Sequence, residues 1–330
     1  MEQKRALVLG CNGFIGNNLV KRLQSEGYYV VGADIKDKNH AGEISSANKF
    51  IQADLRFQSS WLTFWNEHYD KKFDELYQLA ADMGGAGYIF TGEHDLEVML
   101  NSNSINSNCI IYSTHIANKV FFSSSACVYP MCETTGANED TREGAAYPAN
   151  PDSEYGWEKL FAERMYLALN RYLKKPFVRI ARFHNIFGSY GTWRGGKEKA
   201  PAAMIRKAID SKDGNDIEVW GTGEQTRTFL YIDDCLDAIR LLMDHPTFEG
   251  PVNIGSEEEI SINDLARMAL DIAGKREVEI SNIEGPIGVN ARKSNNELIE
   301  TILNWKPKYS LREGMEKTFQ WIESEMKKNG

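Results

Sequence analysis

The sequence predicts an α/β protein: a doubly wound parallel sheet followed by a smaller mixed α/β C-terminal region. Three observations carry that prediction. Short apolar segments alternate with amphipathic stretches through the first half of the chain. A glycine-rich turn joins the first apolar segment to the first amphipathic stretch. Beyond about residue 187 the alternation loosens into charged, Gly-containing segments. Regular strand–helix alternation buries a parallel sheet between two helical layers.

In chain order, Ala6 to Leu9 reads as a buried strand and Phe14 to Glu26 as a helix. Tyr28 to Ala33, Lys49 to Ala53, Phe73 to Leu79 and Lys119 to Ser123 read as the next four strands. Residues 153–173 carry Trp157, Leu160, Phe161, Met165, Ala168, Leu169 and Tyr172 at helical spacing. Phe177 to Ile180 is a further strand. Helical patterns follow near 201–210, 233–244, 261–273 and 311–326. The expected division is a first domain over 1–185 and a second mainly over 186–330, with segments near 225–255 returning to the first. The faces around 94–117 and 153–172 read equally as core or as a homodimer contact.

At 330 residues the chain is long enough for about two domains. Its 47 acidic and 38 basic residues leave a net charge of −9, which argues against general nucleic-acid or membrane-surface partners. Five cysteines, Cys11, Cys109, Cys127, Cys132 and Cys235, are scattered without a C-x-x-C, so neither a disulfide framework nor a zinc site is indicated. No apolar run is long enough to span a bilayer, and the first residues lack a signal-peptide pattern. The expectation is a cytoplasmic protein with reduced thiols and no metal.

Gly10-Cys-Asn-Gly13-Phe14-Ile15-Gly16 follows the first strand and opens the first helix. Such glycines permit a tight turn, close backbone approach to a pyrophosphate, and helix–strand packing. The anion then meets free N–H groups at the helix N-terminus. Asp34 closes the second strand, where a carboxylate binds adenosine ribose hydroxyls and repels a 2′-phosphate. The expected cofactor is therefore NAD, on a Rossmann-type sheet. Asp54, Leu55, Ala80 and Ala81 close later strands, beside the expected adenine and ribose.

A serine run, Ser123 to Ser125, ends the fifth strand, and Tyr155 stands four residues before Lys159. That spacing puts both on one helix face. A lysine charge there is expected to draw the tyrosine's pKa from about 10 towards neutrality. With these residues in place, the chain resembles the extended short-chain dehydrogenase/reductases, the family of NAD-dependent nucleotide-sugar epimerases and dehydratases. The resemblance implies that Ser125 orients the substrate, that Tyr155 is the acid/base, and that Lys159 supports Tyr155 and holds the nicotinamide ribose. Asn103 is expected to support the cofactor side from its helix.

Further stretches are similar to one branch of that family, the 3,5-epimerases of GDP-mannose. They are Ala80-Ala-Asp-Met-Gly-Gly85, Ser124 to Pro130, Arg182 to Gly188, Gly191 to Ala203, and Gln225-Thr226-Arg227. The family's 4,6-dehydratases carry an Asp-Glu pair where this chain has Ala126-Cys127. The acid that would expel a hydroxyl is therefore missing, while Cys127 can still serve as a base. Taken alone, a cysteine at a strand end is more often a small buried residue, and Lys199 a solvated charge. The resemblance makes Cys127 the base and Lys199 the opposing acid. It implies inversion of C3 and C5 of GDP-D-mannose through a transient 4-ketone with NAD recycled, giving GDP-L-galactose, or GDP-L-gulose after C5 alone.

The same resemblance makes residues 186–330 mainly the nucleotide-sugar-binding domain. It implies substrate contacts at Gly85, Ser125, Cys127, Asn185, Glu198, Lys199, Ala200, Lys207, Gln225, Thr226 and Arg227. Arg292 is a further diphosphate candidate, since a guanidinium binds oxygens in pairs. His184 lacks a second ligand at metal spacing and is expected to pack or hydrogen-bond. Two other readings stay open: an epimerase of one carbon or of another nucleotide sugar, and a non-catalytic NAD-binding scaffold.

Overall fold

The structure is a computed structural model and describes residues 2–68, 71–130, 140–196, 198–212, 216–285 and 291–329. Its centre is a seven-stranded parallel sheet. The strands are β1 (Arg5–Leu9), β2 (Tyr29–Asp34), β3 (Lys49–Gln52), β4 (Glu75–Gln78), β5 (Val120–Ser125), β6 (Val178–Phe183) and β11 (Val252–Ile254), in the order β11-β6-β5-β4-β1-β2-β3. The short strands β7 (Ile186–Phe187), β8 (Ile217–Trp220), β9 (Thr226–Thr228) and β10 (Leu230–Tyr231) fall between β6 and β11. From β1 the chain steps to β2 and β3 on one side, then returns to β4 on the other. The crevice beyond the C-terminal ends of β1 and β4 is thus the switch point where such sheets bind ligands.

Both faces are covered, so β1 is apolar throughout rather than alternating with polar residues. Ala6 and Val8 face one core, with Leu19, Val20 and Leu23 of α1 (Phe14–Ser25) and Leu236 and Ile239 of α7 (Ile232–Asp244). Leu7 and Leu9 face the other. There they meet Trp61 and Phe64 of α2 (Gln58–His68), Ile105 and Cys109 of α4 (Asp95–Ile116), and Tyr166 of α5 (Glu154–Leu173). The short helix α3 (Ala86–Ile89) follows β4.

The C-terminal elements are α6 (Ala200–Asp210), α8 (Ile262–Ile272), α9 (Glu297–Leu303), α10 (Leu311–Asn329) and β12 (Glu259–Ser261), β13 (Ile280–Ile283), β14 (Ala291–Arg292). They make a three-stranded sheet, β12-β9-β14, and the pairs β13-β8 and β10-β7. Ile205, Leu265 and Met315 from α6, α8 and α10 share one core with α1 and α7. Arg240 of α7 ties the layers together by pairing with Glu75 of β4 at 2.5 Å and Glu26 at 2.8 Å. β5 runs on to Ser125, two residues beyond the apolar signal. Its serines stay in the ladder because Ser124 pairs with Arg182 of β6 and its hydroxyl donates to Glu163 at 2.5 Å.

Candidate active site

At the switch point, Gly10 adopts φ +82° and its N–H donates to Ala33 O at 2.8 Å. A Cβ on Gly16 would lie 2.0 Å from Gly10 O, so only glycine lets α1 approach the β1 turn this closely. Helix α1 starts at Phe14 and Ile15 behind Gly13, which has no side chain to cap the first N–H groups. Asp34 is buried at the end of β2; its carboxylate accepts from the Asn12 and Lys36 N–H groups, each at 2.9 Å. These features fit a dinucleotide: an open helix N-terminus for the pyrophosphate and a carboxylate for the ribose.

The other expected cofactor residues line the same edge. Asp54 pairs with Arg56 at 2.6 Å, which holds its carboxyl below the usual range. Leu55 is buried, and its carbonyl accepts from Trp61 Nε1 at 2.9 Å. Gln78 Nε2 donates to Ala80 O at 2.9 Å, next to Ala81, and to Asn106 at 3.0 Å. Asn103 sits one turn before Ser107 on α4, whose hydroxyl donates to it at 3.5 Å.

Ser125 ends β5, and its hydroxyl accepts from the Cys127 N–H at 3.2 Å, capping a single turn over Ala126–Val128. Ser153 caps α5 by accepting from the Gly156 N–H at 3.2 Å. Tyr155 and Lys159 are both buried on α5. The Lys159 ammonium donates to Ser123 O at 2.9 Å and lies 5.6 Å from the centre of the Tyr155 ring. Lys199 is the N-cap of α6, near enough for its charge to act on Cys127. The fold thus gathers Ser125 from β5, Cys127 from the turn after it, Tyr155 and Lys159 from α5, and Lys199 from the start of α6.

The electrostatics differ from the expectation at one point. Burial, not Lys159, dominates Tyr155, and it pushes the hydroxyl above its ordinary value; Cys127 and Glu158 push the same way, and Ser125 opposes them. Desolvation disfavours the phenolate, while the Lys159 ammonium is directed at a backbone carbonyl. Burial likewise pushes the Cys127 thiol up to about 12, reinforced by Asp152 and opposed by Arg292, Ser125 and Lys199. Lys199 is lowered by burial, with Cys127 and then Cys235 opposing. Burial thus disfavours the charged form of both groups, the Cys127 thiolate and the Lys199 ammonium.

The expected substrate residues are each held by partners of their own. Gly85 accepts from the Tyr88 N–H at 2.9 Å. Asn185, at φ +43° between β6 and β7, donates to Thr228 O at 3.1 Å. Glu198 accepts from Arg206 at 3.1 Å and from the Gly196 N–H at 2.7 Å, beside Ala200 at the start of α6. Lys207 donates to Glu218 O at 2.5 Å, and Gln225 to Trp220 O at 2.9 Å. Thr226 hydrogen-bonds Glu259, and Arg227 donates to Thr226 O at 2.7 Å.

Arg292, across from Arg227 in the β9–β14 pair, forms a buried ion pair with Asp152 at 2.6 Å. That places its charge beside Cys127. Sequence reasoning passed over Asp152; the one available signal is its place just ahead of the Tyr155 helix. His184 is buried with its Nε2 2.9 Å from Asn253 Oδ1, and burial lowers it to about 3. Among the described residues no cluster suits a metal ion. Cys132, Lys197 and Asn290 lie outside the described residues.

A family model described as the NAD dependent epimerase/dehydratase family matches residues 6–255. GDP-mannose 3,5-epimerase from Arabidopsis thaliana is 40% identical over 335 residues, covering 99% of this chain and 84% of the relative. GDP-mannose 3,5-epimerase 1 from Oryza sativa subsp. indica is 39% identical over 332 residues, with the same coverage of 99% and 84%. Among solved structures, UDP-glucose 4-epimerase from Thermus thermophilus in complex with NAD superposes with a TM-score of 0.79 at 21% identity. That match covers 97% of this chain and 99% of the other.

Proposed function

Because the chain belongs to the NAD-dependent epimerase/dehydratase family, we propose that it inverts C3 and C5 of GDP-mannose through a transient 4-ketone, giving GDP-L-galactose, with GDP-L-gulose as the C5-only product. The reading is supported by about 40% identity along nearly the whole chain to curated 3,5-epimerases of that substrate. The observation that carries it is Cys127: a thiol stands beside Ser125 and within the field of Lys199, where a base must face an acid.

NAD, when bound, supplies a reversible two-electron acceptor for the sugar C4. The Gly10–Gly16 turn, the α1 N-terminus and Asp34 are the residues that would hold it. Ser125 orients the sugar, and Tyr155, which must be in its phenolate form to accept it, takes the proton of the C4 hydroxyl. The 4-ketone then acidifies the protons on C3 and C5. As the thiolate, formed once its own proton has left, Cys127 removes each from one face, and the Lys199 ammonium returns one from the other; both must exchange protons with solvent before the second inversion. With the hydride restored to C4, Tyr155 returns its proton to the C4 oxygen, so no net oxidation occurs. On the nucleotide side, Arg227 and Lys207 offer positive charge to the diphosphate.

The test is incubation with GDP-mannose in heavy water, read by mass spectrometry and proton NMR. Deuterium at both C3 and C5 with new GDP-hexose isomers is the expected result. Deuterium at C5 alone would reduce the activity to a single inversion, and none at all would overturn this substrate assignment.

We also propose a homodimer through α4 and α5. Leu96, Leu100 and Ile111 on α4 and Trp157, Phe161 and Tyr172 on α5 are exposed. Both triads share one spacing, four residues and then eleven, which keeps each on a single helix face over about four turns. The two helices lie side by side on the same sheet face, so the triads offer an apolar surface to a second copy. Light scattering on the purified chain, with Phe161→Glu as the disrupting variant, tests this.

A further inference from the structure

We infer that the buried hydroxyl of Tyr129 is a positioning group: it ties the Ala126–Val128 turn to the sheet and so sets where Cys127 stands. The inference rests on reading Cys127 as the base. Tyr129 follows Cys127 by two residues and closes the turn. Its N–H donates to Ala126 O at 3.2 Å, while Ser125 caps the other end. A single tight turn has poor hydrogen-bond geometry of its own, so whatever grips its two ends fixes its place.

The grip at the Tyr129 end comes from a row of side chains across the sheet. Ser124 of β5 is paired with Arg182 of β6, and Arg182 with Asn253 of β11. Paired residues of neighbouring strands point to the same face. Glu163 of α5 closes over this row. It accepts from the Ser124 hydroxyl at 2.5 Å and from Arg182 Nε and Nη2 at 2.9 and 2.7 Å. Such a fork fixes the direction of a guanidinium as well as its position. Arg182 Nη1 then donates to the Tyr129 hydroxyl at 3.1 Å, and that hydroxyl donates to Asn253 Oδ1 at 2.7 Å. Asn253 is held in turn, its Nδ2 donating to Thr141 O at 2.7 Å and to Asn295 O at 3.0 Å. All five side chains are buried. A buried network whose members are satisfied specifies one arrangement.

Tyr129→Phe keeps the ring and removes the tie. It strands none of the partners. Arg182 keeps Glu163, and its Nη1 keeps Glu143 O at 2.8 Å; Asn253 Oδ1 keeps His184 Nε2 at 2.9 Å. Tyr28 offers a matched control. Its buried hydroxyl also lies between an arginine and an acceptor, accepting from Arg240 Nη2 at 3.0 Å and donating to Glu75 Oε1 at 3.1 Å. It precedes β2, so it stands at the opposite end of the sheet from Cys127.

The experiment has two readings on the NAD-loaded protein. One is kcat and KM for deuterium incorporation at C3 and C5 of GDP-mannose. The other is amide hydrogen exchange of the peptide spanning 126–129, without sugar, which reports the local order of the turn. Tyr129→Phe is expected to lower kcat roughly ten- to hundredfold, the scale of a small misplacement of a reacting group, with KM unchanged and exchange in the turn accelerated. Tyr28→Phe is expected to do neither. An unaltered kcat in Tyr129→Phe, a rise in KM alone, or equal slowing in Tyr28→Phe would overturn the proposal. So would a slowed Tyr129→Phe whose turn exchanges as before. If the unaltered protein incorporates no deuterium, the substrate reading has failed. The amide exchange then decides by itself: acceleration confined to Tyr129→Phe upholds the tie, and none overturns it.

Discussion

The carbonyl oxygen of Cys127 lies directly against Gly156. A Cβ built on Gly156 would fall 2.1 Å from that oxygen and 3.0 Å from the Pro151 side chain. This contact docks the start of α5 on the turn after β5, and so places Tyr155 beside Cys127. Alanine is the better helix former, by roughly 1 kcal/mol. Here overpacking wins: Gly156→Ala is expected to destabilise the protein by about 1–3 kcal/mol, and to slow turnover by moving the two side chains apart. Chemical denaturation measures the first effect. An unchanged or raised midpoint would contradict the contact.

Cys127→Ala removes the proposed base and little else, since Cys127 anchors its turn through backbone groups. Proton exchange at C3 and C5 is expected to fall at least 10²-fold, the scale of general base catalysis. NAD content should stay the same. Exchange at the unaltered rate would remove Cys127 from the mechanism.

The pH profile should identify Lys199. As the acid, it must carry its proton, so exchange falls as pH rises through its pKa. Burial lowers that pKa from the ordinary lysine value, and the fall-off should therefore begin below the usual lysine range. Lys199→Arg carries its charge at all accessible pH values. The variant should be slow at neutral pH and should lose this alkaline limb. A limb left in place belongs to another group.

Asp34 should decide between the two nicotinamide dinucleotides. Its carboxylate, oriented by the Asn12 and Lys36 N–H groups, would accept from the ribose hydroxyls and repel a 2′-phosphate. Charge-assisted hydrogen bonds contribute about 1.5–3 kcal/mol, so Asp34→Asn is expected to weaken NAD roughly ten- to hundredfold while improving NADP. Calorimetric titration of both dinucleotides reads this directly. Equal loss of both would mean that Asp34 only shapes the loop.

The sheet was legible because its signals are local. Phe14 to Glu26 is expected as a helix and is observed as Phe14–Ser25; residues 153–173 are observed as Glu154–Leu173. Apolar periodicity and the Gly10–Gly16 turn suffice for that. The extension of β5 and β6 to Ser125 and Phe183 was not legible. Polar residues there read as loop, and only their pairing partners, including the buried Glu163–Arg182 ion pair at 2.7 Å, keep them in the ladder. The Tyr155–Lys159 pair was visible as a spacing. The sign of its electrostatics was not, because desolvation depends on what packs above the helix.

The sequence by itself determined the alternating sheet, the dinucleotide turn closed by Asp34, and the presence of a serine, a tyrosine, a lysine and a cysteine in an order that suits sugar oxidation and epimerisation. Most of these signals are local, such as the Gly10–Gly16 turn and the four-residue step from Tyr155 to Lys159, where chain geometry alone carries the information. Only the tertiary structure decided that the charge of Lys199 acts on Cys127, and that Arg292 answers Asp152 across 140 residues of chain. It also decided that burial raises both Tyr155 and Cys127. Charge and solvation act through space, and space is set by how β14, α5 and α6 close over the end of the sheet.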